Sequence, residues 1–400
     1  MIYLIIFLIL FLFSIIEILP NTNQVSKQVL LIISASLLIL TAGLRYETGG
    51  DWDIYSFGFQ HTNSLWNVLK GEALYLHKSI NFELGFGLLI ALVKQIGGSL
   101  QTIYFLLVLI NITLLIKILK KHTRYIILGL FVYYSILYFH LEMIYTRQSL
   151  AVMICFWSLQ FIHQKRLYPY FFYVIVASFF HRMALVLIPL YFILDKKYKT
   201  HTLLLLIIPG SLLLFLHVEW IKNIILYLAS LLGDNFVLRA QYYTSDDIFS
   251  VSRGISIGFY LNLFLFIFFL FFKNKIYEKK HGKIIFNYFI VSLIMYFYLY
   301  EFVEISNRFR LFFIISLVVL FPYVIEKFTK TSNQLIYFFA ISIYCFMFNF
   351  KIFLNYPSSC AYNPYQNYLV YKYSNKRSTG KERLEKSHGF FNQDRKDMKR

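Results

Sequence analysis

Charged residues are scarce in this sequence, and their scarcity excludes the ordinary kinds of soluble protein. Only 15% of the 400 residues are charged, whereas 58% are hydrophobic and 20% are aromatic. A globular domain of this composition would be insoluble, but the same values are ordinary for a chain that lies in lipid. No soluble domain interrupts the apolar runs, which recur from Met1 to Leu354. The composition therefore indicates an integral membrane protein.

Cysteine is also nearly absent. The three cysteines, Cys155, Cys345 and Cys360, form no metal-binding or redox spacing, which excludes a disulfide framework. The sequence likewise lacks a Walker loop, a dinucleotide fingerprint, an HExxH motif and a nucleophile elbow. We therefore expect no metal site and no cofactor, and a substrate that is handled without ATP.

Acidic residues are outnumbered by basic ones, 20 against 39, which gives a net charge of +19. The excess does not indicate nucleic-acid binding, because the basic residues are divided among short loops at 117–124, 165–166, 196–199 and 273–283. This distribution follows the positive-inside rule, which places short basic loops in the cytoplasm. Two longer loops, 45–83 and 218–254, are close to neutral or acidic, so we expect them outside.

The apolar runs predict an all-α, polytopic bundle of about 10–12 transmembrane segments, some of them broken or half-spanning. We expect the first run to be a retained helix and not a signal peptide, because it lacks a positive start and a cleavage site. The segment Leu84–Ile96 would reach only about 20 Å as a helix, too little for a full crossing. The candidate segments are Ile2–Leu19, Val29–Leu44, Leu84–Ile96, Thr102–Leu119, Tyr125–Phe139, Ile144–Ile162, Tyr168–Leu194, Thr202–His217, Ile255–Phe272, Ile284–Tyr300, Leu311–Ile325 and Leu335–Leu354.

The long segment Tyr168–Leu194 has basic loops on both sides, so a single crossing conflicts with the positive-inside rule. A straight helix would also place Arg182 near the bilayer centre, at a cost of at least about 2.5–3.5 kcal/mol. Two half-helices that meet at His181–Arg182 and return to the cytoplasm satisfy both observations. Irregular backbone at that depth must be buried in protein or line a wet cavity, so we predict that the break belongs to a site.

The last segment, 374–400, is basic and almost free of apolar residues, so we expect a disordered tail. Residues 1–373 then form one transmembrane domain. The basic charge of the tail favours the cytoplasm, whereas the number of spans places it outside.

Ionisable residues at the ends of the spans are the candidate functional groups, because lipid makes such side chains costly. On the predicted topology all five groups reach the outer side. Each group also has a structural alternative: an interfacial anchor, a helix cap, a snorkelling arginine, a hydrogen-bonded histidine or an ion pair. In chain order they are Arg45 to Tyr55 with Gly49, Gly50 and Asp51; Asn81 and Glu83; Glu142 to Gln148 with Arg147; His181 and Arg182; and Glu301, Glu304, Arg308 and Arg310.

The same residues form an ordered series of short motifs. The motifs are R-x-x-x-G-x-D-x-x-x-Y (Arg45, Gly49, Asp51, Tyr55), E-x-G-F (Glu83, Gly85, Phe86), R-Q-x-x-A (Arg147, Gln148, Ala151), A-x-x-x-H (Ala177, His181), R-x-x-x-F-F (Arg308, Phe312, Phe313) and a late Asn363-Pro364-Tyr365. The series resembles the EpsG/Wzy group of bacterial polysaccharide polymerases over about residues 1–370. Two features depart from that pattern, namely Arg182 after the histidine and the basic tail.

The resemblance implies an enzyme of the bacterial cell membrane that joins polyprenyl-diphosphate-linked oligosaccharides into capsule, O-antigen or exopolysaccharide. A hydroxyl of one lipid-linked repeat unit would attack the anomeric carbon of another, and the lipid diphosphate would leave. Arg147 and Arg308, with Arg45 third, would stabilise the charge on the departing diphosphate. Tyr55, Gln148 and Arg310 are further substrate-binding candidates, and His181, Asp51 or Glu83 would act as the base. The expected partners are membrane lipid, a chain-length regulator and a flippase.

Two other functions fit the sequence. An O-antigen ligase shares the donor chemistry and the large outer loop, but passes the glycan to a different acceptor. A secondary transporter of an anionic substrate also has broken helices and buried charges, although the sequence shows no repeated two-half pattern.

Overall fold

The fold is all-α, as the sequence predicts. The computed structural model describes residues 1–70, 82–232, 237–238, 241, 252–354, 359–374 and 376–387. It is 78% helical, and the described residues contain no β-strand. The candidate Asn81 and four charged residues of the predicted outer loop 218–254, Asp234, Arg239, Asp246 and Asp247, lie outside the described part of the chain.

The α-helices are numbered here in chain order. The first ten are α1 (Ile2–Ile18), α2 (Gln24–Gly43), α3 (Trp52–His61), α4 (Leu65–Leu69), α5 (Leu84–Gln95), α6 (Leu100–His122), α7 (Ile126–Tyr133), α8 (Phe139–Met143), α9 (Thr146–His163) and α10 (Leu167–Ser178). A π-helical turn at Tyr134–Tyr138 joins α7 to α8, and a 3₁₀ helix at Arg182–Phe192 follows α10. The others are α11 (Thr200–Phe215), α12 (Trp220–Leu232), α13 (Ile257–Tyr277), α14 (Gly282–Tyr298), α15 (Val303–Ile314), α16 (Leu317–Ile325), α17 (Thr331–Phe353), α18 (Tyr368–Ser374) and α19 (380–387).

Several of these helices are long and apolar enough to cross a membrane. Five qualify in the described residues: α2, α6, the segment Ile126–Met143, α13 and α17. Two bent pairs, α11–α12 at 89° and α15–α16 at 43°, raise the number to seven if each pair counts as one span. Shorter apolar helices, α1, α5, α10, α14 and the 3₁₀ helix, accompany them. The chain is therefore a polytopic helical membrane protein.

The chain divides into two compact units. Unit 1 comprises Met1–Ser158, Tyr168–Leu187 and Phe321–Arg400, and unit 2 comprises Leu159–Leu167 and Ile188–Leu320. In unit 1 the segment Ile126–Met143 is central, since 89% of it is buried. Burial of this kind suits its largely apolar sequence, in which the few polar residues, Ser135, His140 and Glu142, are isolated from one another.

The predicted break in Tyr168–Leu194 is confirmed. α10 ends at Ser178, and the 3₁₀ helix begins at Arg182. The Tyr170 hydroxyl donates a hydrogen bond to the carbonyl oxygen of Leu187 over 2.7 Å. Seventeen intervening helical steps would hold these residues roughly 25 Å apart in a straight helix, so the chain folds back on itself at the break.

In unit 2, Glu301 caps another helix and does not belong to the charged helix face that its spacing predicts. The i, i+3, i+7 spacing of Glu301, Glu304 and Arg308 predicts that they share one helix face. In the structure α15 begins only at Val303, and Glu301 lies in the turn before it. The fully buried Glu301 carboxylate accepts hydrogen bonds from the backbone N–H groups of Ile221 and Lys222, over 2.7 and 2.9 Å. It therefore caps the start of α12, where a carboxylate complements the helix dipole.

The predicted outer loops also contain helices. α3 lies within 45–83, and α12 occupies the first part of 218–254. We assigned 218–254 to a loop because it lies between two apolar runs and carries charged residues, among them Glu219 and Lys222. In the structure these two side chains pair with each other over 2.9 Å at the start of α12, which leaves the apolar residues free to continue the helix.

The tail departs most from the prediction. Residues 376–387, expected to be disordered, end in the helix α19, and Arg383, Leu384 and Ser387 are buried. The composition predicted disorder because this segment has too few apolar residues to form a core of its own. Instead it packs on the loop that follows α2, with polar contacts to backbone groups. The remainder of the tail, 388–400, lies outside the described residues.

Candidate functional site

An ion pair between Arg147 and Glu83 is the centre of the candidate site in unit 1. The Nη1 atom of Arg147 lies 2.7 Å from Oε2 of Glu83, and the two side chains are 24% and 12% exposed. Arg147 is the second residue of α9, and Glu83 is the N-cap residue of α5. The guanidinium also lies over the Phe82 ring, 4.8 Å from its centroid. The second and third predicted motifs thus meet.

Tyr55 joins the first motif to this pair. Its hydroxyl oxygen accepts a hydrogen bond from the backbone N–H of Arg147 over 3.4 Å. The ring stacks on Phe82 with centroids 6.1 Å apart and is 4% exposed. Burial raises the pKa of the Tyr55 hydroxyl, and the charge of Arg147 opposes that rise. Tyr55 therefore holds the start of α9 as a neutral phenol.

Gly85 brings the helical break to the same place. Its backbone N–H donates to the carbonyl oxygen of Phe179 over 2.8 Å, and a Cβ at this position would lie 2.8 Å from that oxygen. Only glycine permits so close an approach. Phe179 lies two residues before the half-buried His181, whose N–H donates to the Ala177 carbonyl oxygen over 3.0 Å. The fourth motif therefore lies beside the helix that Glu83 begins.

The turn after α2 depends on one of its two glycines. Gly49 has a φ of +109°, and a Cβ there would overlap the Met143 carbonyl oxygen. Its N–H donates to the carbonyl oxygen of Ala361 over 2.9 Å. Gly50, which we expected to share this role, has an ordinary φ, and a Cβ would meet Ile144 at a normal 3.5 Å. Of the two glycines, therefore, only Gly49 has a backbone conformation that requires glycine.

Asp51 is half-buried at the start of α3, and its carbonyl oxygen accepts from the N–H of Tyr55 over 3.2 Å. Asp53 lies one residue into the helix, is exposed, and accepts from the N–H of Ile54 over 2.8 Å. The two acids have D-x-D spacing, yet no group of three His, Cys, Asp or Glu side chains in the described part of the chain could hold a metal. Asp51 instead lies at the N-terminus of α3, the helix that carries Tyr55.

Arg45 is enclosed rather than open to a substrate. It is 1% exposed, and its Nη atoms donate to the Ala42 carbonyl oxygen over 2.9 Å and to the Thr146 hydroxyl over 3.1 Å. Its guanidinium carbon lies 3.8 Å from the centroid of the Tyr104 ring. It therefore connects the end of α2 to the first residue of α9, next to Arg147.

Gln148 is also fully buried, and a polar network that the sequence did not reveal lies beside it. Both oxygens of the buried Glu142 accept from Asn111 Nδ2, over 3.1 and 3.2 Å, and Oε1 accepts from the Tyr133 hydroxyl over 2.5 Å. Asn111 also contacts the Ser149 hydroxyl at 2.9 Å. Glu142 was visible in the sequence as a buried acid, but its partners come from other helices and left no local pattern.

Unit 2 carries a separate group of arginines. Arg310 donates to Asn262 Oδ1 over 2.6 Å, and its guanidinium carbon lies 4.8 Å from the Tyr296 ring centroid. Arg253, a charged residue of the predicted loop 218–254 that was not among the five candidate groups, lies 4.0 Å from the same centroid and donates to Asn307 Oδ1. Burial lowers the pKa of Arg253 to about 10, and the charge of Arg310 acts in the same direction.

Arg308 is exposed on α15, four residues after the half-exposed Glu304. Arg308 is thus exposed as a residue, in contrast to the buried Arg45. The predicted arginines therefore differ in burial. Arg45 is enclosed, Arg147 is partly buried beside Glu83, and Arg308 is exposed on unit 2.

The arrangement in unit 1 suits the binding of an oxyanion. The N-terminal ends of α5 and α9 carry partial positive charge, and Arg147 adds a full charge between them. A guanidinium forms paired hydrogen bonds with phosphate or carboxylate oxygens. In the free protein the Glu83 carboxylate occupies one of those bonding positions.

Comparison with known proteins identifies the family of the chain. A family model described as the EpsG family matches residues 28–371 of the chain. The matched range contains every candidate site residue from Arg45 to Arg310 and ends before the tail. No curated protein and no solved structure shows a significant match. Because the matched range covers most of its length, the chain belongs to the EpsG family, a family of Wzy-type polysaccharide polymerases.

Proposed function

We propose that this protein polymerises polyprenyl-diphosphate-linked oligosaccharide repeat units into capsule, O-antigen or exopolysaccharide at the outer face of the bacterial cell membrane. Its family supports the polymerase role. The observation that carries the finer proposal is the Arg147–Glu83 pair between two helix N-termini, because it provides a place for the diphosphate of the donor.

In the reaction, the bond between the anomeric carbon and the diphosphate oxygen breaks. A new bond forms from that carbon to the hydroxyl oxygen of the second repeat unit, and a base takes the hydroxyl proton. Negative charge grows on the diphosphate as it leaves. Arg147 stabilises this charge by replacing its bond to Glu83 with bonds to phosphate oxygens.

The geometry distinguishes the three candidate bases. In a single in-line displacement the base and the leaving group lie on opposite sides of the anomeric carbon. Glu83 lies 2.7 Å from Arg147, which supports a position for both on the leaving-group side. We therefore assign Glu83 as the counter-ion that holds Arg147 ready, and His181 or Asp51 as the base.

The arginines of unit 2 would serve binding. Arg308 is exposed, and the half-buried Arg310 and Arg253 lie around one tyrosine ring, so this unit contributes one exposed and two half-buried guanidinium groups. We propose that they contact anionic groups of the lipid-linked substrates. The buried Arg45 and Gln148 would position α9 rather than touch substrate, and Tyr55 would do the same.

An acceptor-swap assay tests the proposed function. The protein, reconstituted in liposomes, receives radiolabelled lipid-linked repeat units alone or together with a lipid A core acceptor. A polymerase yields a ladder of lipid-linked chains from repeat units alone. Product that appears only with the lipid A core would indicate a ligase, and movement of label across the bilayer without new glycosidic bonds would indicate a transporter. Either result would overturn the proposal.

A further inference from the structure

The tail contains an arginine whose hydrogen bonds link separate parts of unit 1. Arg383 is 6% exposed. Its Nη1 atom donates to the carbonyl oxygen of Pro364 over 2.8 Å, and its Nη2 atom donates to that of Glu47 over 2.8 Å. Longer contacts reach the Thr48 hydroxyl at 3.4 Å and the Ala361 carbonyl oxygen at 3.5 Å. One guanidinium thus connects the turn after α2 to the segment before α18.

A second set of contacts supports the same connection. The Ser378 hydroxyl donates to Gln366 Oε1 over 2.8 Å and also contacts the Glu47 carboxylate. Gly380 packs so closely on Glu47 that a Cβ would overlap its side chain. Glu47 itself has a positive φ of 43°, a conformation that is costly for a residue other than glycine. The tail therefore helps to hold a strained turn.

That turn leads directly into the candidate site. Gly49 follows it, with a φ of +109°, and Asp51 and Tyr55 come next at the start of α3. Tyr55 in turn accepts the hydrogen bond from the N–H of Arg147. A shift of the turn would consequently be passed to Asp51 and, through Tyr55, to the start of α9.

We infer that α19 is a positioning element for the site and that Arg383 is its positioning residue. This inference rests on the proposed function. The family match ends at residue 371, so the element is an addition outside the matched range. Its contacts with Glu47 and Thr48 also place it on the same side of the membrane as the loop 45–83, despite its basic charge.

The role requires arginine and not merely a positive charge. The two Nη atoms of Arg383 donate to two carbonyl oxygens that belong to different segments of the chain. Lysine has one nitrogen on a flexible stem and cannot hold both acceptors in this planar geometry. Arg383→Lys is therefore the informative variant, because it keeps the charge and removes the bridge.

The experiment compares Arg383→Lys with Arg377→Lys, a matched control in the same tail whose side chain is 90% exposed. A reporter cysteine replaces the fully buried Thr48, and Cys360 is changed to serine. We expect an impermeant thiol reagent to label Thr48→Cys from outside only when Arg383→Lys is also present. We expect polymer synthesis to fall by up to about 100-fold in Arg383→Lys, at equal protein level, and to be unchanged in Arg377→Lys.

A pair of truncations gives a second test. Removal of residues 388–400 keeps every contact described above and should leave polymer length unchanged, whereas removal of 376–400 should shorten it. Normal polymer and an unlabelled Thr48→Cys in the Arg383→Lys protein would overturn the inference. If the polymerase assignment itself is wrong, no variant and no wild-type protein makes polymer, yet the labelling difference persists.

Discussion

The carbonyl oxygen of Phe179, at the break after α10, accepts a hydrogen bond from the N–H of Gly85 over 2.8 Å. This contact sets the break in one helical hairpin against the first turn of α5, the helix that Glu83 precedes. Glu83 pairs with Arg147, and the N–H of Arg147 contacts Tyr55. Four short motifs that are far apart in the sequence thus meet in unit 1.

We predict that Gly85→Ala greatly reduces activity. The new methyl group would lie 2.8 Å from the Phe179 carbonyl oxygen, so either the hairpin or α5 must move. Gly254 is the matched control, because its φ is ordinary and a Cβ there would meet no atom within 4 Å. Polymer yield at equal protein level should fall in Gly85→Ala and be unchanged in Gly254→Ala. Equal yields from the two variants would show that the close approach is not needed.

The two glycines of the turn after α2 should respond differently. Gly49→Ala introduces both an unfavourable backbone conformation and an overlap with the Met143 carbonyl oxygen, and strain of this kind costs about 1–3 kcal/mol or more. Gly50→Ala introduces neither. Thermal unfolding in detergent should therefore show a lower midpoint for Gly49→Ala only. A similar loss in both variants would contradict the geometry of the turn.

Single cysteines can establish the sides of the membrane. We place them at Asn63, Lys381 and Lys197, which are all exposed, in a protein with Cys360 changed to serine. An impermeant thiol reagent should label the first two from outside and Lys197→Cys only after the cells are opened. If Asn63→Cys and Lys197→Cys are labelled from the same side, the charge asymmetry of the loops has been misinterpreted. If only Lys381→Cys changes side, α19 does not pack on the loop 45–83.

Asp195 provides a test that depends on pH. It accepts from Lys165 over 2.9 Å and from Lys283 over 2.8 Å. Burial would raise the pKa of Asp195, but the hydrogen bonds and charges of the two lysines outweigh burial and lower it. The ion pairs therefore stabilise the folded protein above the pKa of an unfolded aspartate, about 3.9, and this contribution disappears as the pH falls through the lower, folded-state pKa. Asp195→Asn should unfold at lower temperature than wild type at neutral pH, and the difference should shrink in acid. A difference that is independent of pH would contradict this interpretation.

The sequence predicted the parts of this structure that follow from local rules. The break at Phe179–His181 was predictable because basic flanks and Arg182 exclude a straight span, and the membrane class followed from the apolar runs. The pairing of Glu83 with Arg147, 64 residues apart, was not, because no local pattern records which helix ends meet in space. The ordered set of motifs indicated only that these residues belong together.

Other features were missed for physical reasons of the same kind. Glu301 resembled a member of a charged helix face, but its carboxylate caps a helix that precedes it by about eighty residues. Arg383 lies in a segment with very few apolar residues. Its main partners are backbone carbonyl groups, which are present in every residue and therefore leave no sequence signal. Tertiary contacts to backbone atoms leave no trace in residue type, so composition predicted disorder where the chain is ordered.

Arg147 and Arg308 should both require a guanidinium. Lysine keeps the charge but loses the paired hydrogen bonds to phosphate oxygens, and loss of one strong transition-state contact typically lowers the rate about 10²–10³-fold. Cells with either Arg→Lys variant should accumulate single capped repeat units at unchanged protein level. The exposed Arg166 is a matched control, and Arg166→Lys should give normal polymer. Normal chain lengths from both variants would contradict the assignment and move the search to Arg182 and Arg310.

The most direct measurement is the affinity of the purified protein for polyprenyl diphosphate in wild type, Arg147→Lys and Glu83→Gln. In the free protein Glu83 occupies a bonding position of Arg147, so the diphosphate must displace it. We predict that Glu83→Gln binds the diphosphate about tenfold more tightly, since an ion pair of this exposure is worth on the order of 1 kcal/mol. Arg147→Lys should bind it more weakly. A purely structural ion pair would leave both affinities equal to that of wild type, and that result would contradict the assignment of Arg147 to the donor diphosphate.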